Sequence, residues 1–147
     1  MSMPMNIQGQ SLPDEEPVVT VLTDLQIWEL LAETRFARLG TIGEDGYAHI
    51  FPINVVSDGR RVFFRTAAGA KLLQLTLNSK VTLQVDRIEG GRAISINAFC
   101  AARQVAESNT IRYIESLKLS PWLDTQKLEF VELVPEKLTG RRFRLGK

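Results

Sequence analysis

The sequence predicts a mostly β protein, an antiparallel barrel of six to seven strands with flanking helices, and three observations predict it. Short runs rich in β-branched and aromatic residues are bounded by Gly, Asp, Asn and Pro turn signals. Most connections between these runs are of hairpin length, which makes neighbouring strands antiparallel. The helical segment that joins the third strand to the fourth, 71–79, is too short for a comfortable parallel crossover. Strands of this number and kind bury their edges best by closing, or nearly closing, on themselves.

The elements follow in order. Residues 1–17 hold Gly9, three prolines and the acidic run Asp14-Glu15-Glu16, with too little apolar surface to fold alone. A flexible arm over 1–20 is therefore expected ahead of a single domain over 21–147. Thr23 and Gln26 have capping-box spacing, and Leu25, Trp28, Leu31 and Ala32 then form one stripe of an amphipathic helix. "FARLGTI" (36–42), the turn "GEDG" (43–46) and "YAHIFPINVV" (47–56) read as a hairpin. "SDGR" (57–60) is the next turn and "VFFRT" (62–66) the third strand, before the short helix 71–79 that stops at Asn78-Ser79. "KVTLQVDRI" (80–88), the turn "EGG" and "AISINAFCAARQVA" (93–106) supply the fourth and fifth strands. Ser108 can cap a second sizeable helix that ends before Ser120-Pro121, and 127–145 holds one or two more strands around Pro135.

Composition bounds function. At 147 residues one domain is the simplest reading, and a chain this long buries roughly 68–70% of its extended surface. A net charge of +1 leaves no footprint for duplex nucleic acid or an acidic membrane, so an anion site has to be local. One cysteine and one histidine exclude an intrachain disulfide and a Cys- or His-rich metal cage. No secretory leader is visible and no apolar run approaches the ~20 residues of a membrane span, so a cytoplasmic protein is expected.

Two stretches carry candidate chemistry. In "VFFRTAAGAKLLQL" (62–75) a strand ends in Arg65-Thr66, turns through small residues, and opens a helix at Lys71. A cation at a helix start is unfavourable unless an anion joins it. Free N–H groups, the Arg65 fork, the Thr66 hydroxyl and the Lys71 ammonium could surround a phosphate, with Gly69 and Ala70 allowing close approach. Locally, the alternative of solvated charges near a helix start is favoured, because the pattern lacks the specificity of a Walker loop. In "YAHIFPINVV", Pro52 marks an edge, a bulge or a place where a ligand replaces the neighbouring strand, and Asn54 offers an amide to a heteroaromatic ring. An ordinary edge strand is the bland reading and, on these residues alone, the favoured one.

Taken in order, the pieces resemble the small pyridoxamine 5′-phosphate oxidase-like proteins that bind flavin mononucleotide (FMN) on a split β-barrel. The resemblance runs over roughly residues 21–145. Its most specific part is "H-x-x-P-x-N" at 49–54, followed by "R-T" at 65–66 and "G-x-K" at 69–71, with "LSPW" and "LTGRRF" near the end in support. It implies a homodimer with FMN in a cleft at the subunit interface. Arg65, Thr66, Gly69, Ala70 and Lys71 would hold the phosphate. His49, Ile50, Phe51, Pro52, Ile53 and Asn54 would lie along the isoalloxazine, mainly through backbone groups. Relatives often carry an aromatic residue and an Arg-Gly pair where this chain has Ile94 and Phe99-Cys100, a change that would alter the pocket roof. The resemblance further implies an oxidoreductase acting on a small molecule, with a non-catalytic flavin, deazaflavin or haem protein as the alternative. The catalytic residues stay unassigned.

Other residues have plainer readings. His49 could transfer a proton, although no catalytic role is expected. Cys100 reads as a small buried hydrophobe. Trp122 is expected at the dimer interface or pocket rim, and Arg141 and Arg142 on a solvated face. An oligonucleotide-binding barrel would need a basic groove with aromatic platforms, which balanced charge and only seven Phe, two Trp and two Tyr do not provide.

Overall fold

The computed structural model describes residues 16–77, 80–118 and 128–146. In chain order these form β1 (Val19–Val21), α1 (Asp24–Ala32), β2 (Phe36–Ile42), β3 (Ala48–Asn54), β4 (Val56–Ser57) and β5 (Val62–Ala67). There follow α2 (Lys71–Leu77), β6 (Val81–Glu89), β7 (Arg92–Val105), α3 (Ser108–Ser116) and β8 (Leu128–Arg144).

All strand pairs are antiparallel, in the order β3-β2-β6-β7-β8-β5-β4, with β1 beside the far end of β8. The outermost strands, β3 and β4, are separated in the chain only by the buried Val55. The sheet therefore has to curl until its two edges meet. Among the described residues no ladder joins β3 to β5, so the seam stays open and the barrel is split. Leu39, Leu83, Ile96, Phe64 and Leu133 fill the interior and are all fully buried. Each such side chain contributes about 1.5–3 kcal/mol.

Among the described residues the sheet has eight strands rather than six or seven. The extra ones are β1, which begins inside the expected arm and pairs Val19 with Phe143, and the two-residue β4. Pro135 does not divide the last region. One long strand runs through it, and a bulge leaves Glu136 unmatched between the pairs Cys100–Pro135 and Phe99–Lys137. A bulge is where a strand tolerates a residue without an N–H to donate.

The capping box of α1 is formed, with Gln26 N–H donating to Thr23 Oγ1 at 3.1 Å and Thr23 N–H to Gln26 Oε1 at 2.9 Å. Its buried face is Ile27 and Leu31, one turn apart, whereas Leu25 is 71% exposed and does not belong to the core stripe. Gly140 lets that face approach β8: a Cβ there would sit 3.0 Å from Ile27 Cγ1. Ser108 is not a cap. Glu107 holds the cap position without a side-chain bond, and Ser108 is the first helical residue of α3.

Helix α3 covers the outer side of β5, packing Ile114 with Phe63, Val56 and Val105. A charge network closes beside it. Glu132, whose side chain is 11% exposed, receives two bonds from Arg61 at 2.9 Å and one from Arg103 at 2.8 Å. Tyr113 donates to Asp58, whose Oδ1 also caps the 58–61 turn.

Candidate functional site

The site forms where the β2–β3 hairpin end faces the start of α2. Side chains alternate along β3. His49, Phe51 and Ile53 share the face that leads into the barrel, with Ile53 buried and Phe51 packed against the core. Ala48, Ile50 and Pro52 share the exposed outer face, and Asn54 is half-buried. Because β3 ends the ladder, Pro52 sits on an edge strand, where a missing N–H costs nothing.

The same alternation divides the other predicted set. Thr66 follows Phe64 on the inner face of β5 and is buried, whereas Arg65 follows Phe63 on the outer face and is half-buried. The chain then turns at Ala67–Ala70, closed by Ala70 N–H to Ala67 O at 3.1 Å, with Gly69 at φ +76°. Few side chains adopt that backbone region. Lys71 follows, exposed, at the first position of α2.

Lys71 and His49 meet across a cavity of about 510 Å³, walled by Ile42, Gly43, Glu44, Asp45, Gln74 and Leu75. Neither Arg65 nor Thr66 lines it. A second hollow of about 420 Å³ lies on the outer sheet face between Arg38, Ile42, Ala48, Ile50, Lys80 and Gln84. Ile42 borders both. Each volume falls within the range of about 300–1,000 Å³ usual for small-molecule sites.

The strongest polar contact in the first cavity was not anticipated from sequence. His49 Nε2 lies 3.0 and 3.1 Å from the two oxygens of Asp45, and Asp45 Oδ1 also accepts Tyr47 N–H at 3.0 Å. The bond to His49, reinforced by Tyr47 N–H and the charge of Lys71, holds the Asp45 carboxyl below its usual range. Gly43 makes the pairing possible, since a Cβ there would fall 2.5 Å from His49 Nε2. The available signal was an Asp four residues before a His across a tight turn, a spacing with no diagnostic value in a hairpin.

Other expectations resolve simply. Cys100 is buried, its Sγ donates to Ala98 O at 3.3 Å, and burial pushes its thiol up to about 12. Ile94 is half-buried and packs against the barrel core. Phe99, on the opposite face, is exposed. Arg141 is exposed and Arg142 half-buried, and Trp122 lies outside the described residues. Among the described residues no cluster of His, Cys, Asp and Glu could hold a metal ion, and no helix is long and apolar enough to cross a membrane.

The family model for pyridoxamine 5′-phosphate oxidase matches residues 23–142. The fold superimposes with a TM-score of 0.80 on a candidate pyridoxamine 5′-phosphate oxidase of Corynebacterium glutamicum, 32% identical over 90% of this chain and 98% of that one. It superimposes with a TM-score of 0.77 on an FAD-binding protein of Mycobacterium smegmatis, 35% identical over 86% of this chain and the whole of the other. An uncharacterised Mycobacterium tuberculosis protein is 34% identical over 88 residues, 60% of this chain and 80% of its own.

Proposed function

The chain belongs to the pyridoxamine 5′-phosphate oxidase family, and from that premise we propose that it is a cytoplasmic, FMN-dependent oxidoreductase acting on a small organic molecule. The observation that carries the reading is the meeting of Lys71 and His49 across one cavity at the end of the edge strand β3. The residues present fit a flavin. Lys71 supplies a mobile cation for a phosphate, β3 offers the backbone of an unpaired edge to a planar ring, and two adjoining hollows give it room. The flavin, when bound, supplies the electron chemistry, while the protein binds, orients and tunes it.

The chain's own groups have separable tasks. Lys71 neutralises the anionic end. Gly69 and Ala70 keep side chains away from it. The β3 backbone from His49 to Asn54 positions the ring edge. Arg65, on the outer face of β5, does not line this cavity, and its phosphate role rests on the family pattern alone. A second copy of the chain completes the cleft. Exposed apolar residues on the outer sheet face, Ile50 at 66% and Ile42 at 58% exposure among them, support that part of the reading.

A second reading has its own support: the relative that is 35% identical is described as binding FAD. One experiment separates the choices. The spectrum of untreated purified protein is expected to show the visible absorption of a bound flavin, and mass analysis of the released cofactor distinguishes FMN, FAD and a deazaflavin. Reduction of the bound flavin by a nicotinamide cofactor supports an enzyme; failure of every donor supports a carrier. Sedimentation tests the dimer.

A further inference from the structure

The flavin reading leaves the Asp45–His49 pair without a task. A hairpin turn does not require it, because Gly43 N–H to Tyr47 O and Gly46 N–H to Gly43 O, both 3.0 Å, already close this one. Yet Asp45 presents both oxygens to His49 Nε2, and Gly43 leaves the space that the ring occupies. The pair stands on the cavity wall with Lys71.

We infer that the Asp45–His49 pair sets the net charge of the cavity served by Lys71 and so tunes, with pH, its affinity for a phosphate-bearing ligand. This rests on reading that cavity as the anionic end of a flavin site. The charged groups that line the cavity with His49 are its partner Asp45 and Glu44 from the hairpin loop and Lys71 from α2. The remaining walls, Ile42 from β2 and Gln74 and Leu75 from α2, are uncharged. With His49 protonated the four groups sum to zero. Once it loses its proton the cavity carries one net negative charge, and a phosphate is repelled.

The test uses the full chain freed of flavin, titrated with FMN and with riboflavin, which lacks the phosphate, between pH 5.5 and 8.5 (an interval of about two units or more around neutrality). FMN affinity is expected to fall about five- to tenfold across that range, and riboflavin affinity to stay level. His49→Gln should lose most of the fall, and because it binds the same phosphate it controls for the ionisation of FMN itself. Asp45→Asn should bind FMN about three- to fivefold tighter than wild type at the alkaline end, a gain that damage to the fold cannot produce. Equal slopes in wild type and His49→Gln, a parallel fall for riboflavin, or no gain in Asp45→Asn overturns the role of the pair while leaving flavin binding intact. Failure of both flavins to bind at every pH overturns the flavin reading and this inference with it.

Discussion

Two charge clusters in this barrel have similar ingredients and opposite designs. Beside α3, Glu132 is enclosed by Arg61 and Arg103, with Glu107 completing the set against Arg103 at 3.2 Å. At the hairpin end, Asp45 and His49 share a cavity wall with Lys71, which makes no salt bridge among the described residues. The first cluster is saturated: each Glu132 oxygen has a guanidinium partner, and Arg61 also lies 4.9 Å above the Phe63 ring. The second opens onto space. Saturated charge fixes structure, because removing one member strands the others. Unsaturated charge around a hollow is available to a ligand. The contrast teaches that burial and completeness, more than the number of charges, separate a structural network from a site.

The largest effect expected is on the saturated side. Glu132→Ala takes the shared acceptor from Arg61 and from Arg103, which keeps only Glu107, and should cost about 2 kcal/mol, read as a lowered urea midpoint. A loss below ~1 kcal/mol would erase the distinction between the clusters. Lys71→Ala should do the reverse, weakening flavin binding about tenfold or more, ~1.4 kcal/mol, with unfolding stability within ~0.5 kcal/mol of wild type. Combining it with Arg65→Ala should weaken binding further, and unchanged affinity in the double variant would remove the site.

Acid sharpens the comparison. Hydrogen bonding from Arg61 and then Arg103, working against burial, holds the Glu132 carboxyl below its ordinary value. A carboxyl lowered in the folded state stabilises the protein fully above its unfolded value, about 4.3 for Glu, and less as pH falls through the native value. The melting-temperature gap between wild type and Glu132→Gln should therefore be constant at neutral pH and shrink below about pH 4. The smallest effect expected is that of Gly43→Ala. Its new methyl displaces the His49 ring from Asp45, which should cost about 1 kcal/mol or less in a chemical melt and shift the His49 ring resonances.

Much of the fold was legible from local pattern. The run 36–42 is β2 residue for residue, and the capping box placed α1. What local pattern missed has a common cause. β1 is three residues long and exists because β8 offers it an edge at Arg141–Phe143. Pro135 reads as a break until β7 supplies the partner for a bulge. Leu25 fits the helical period, yet the barrel end accepts the Ile27–Leu31 face instead. In the site, Lys71 and His49 were named in advance and do share a cavity. Arg65 and Thr66 were grouped with Lys71 by the strand end and by the resemblance, and strand alternation sets their two side chains on opposite faces of β5.

By itself the sequence determined the hairpin order, the antiparallel sheet and the small-residue turn before Lys71, because turn chemistry and side-chain period act over a few residues. Only the tertiary structure decided that the edges β3 and β4 meet at Val55, and that Glu132 on β8 lies between Arg61, just ahead of β5, and Arg103 on β7. Those outcomes depend on the curl of the whole sheet and on which face each strand turns inward, and no short stretch of chain encodes either.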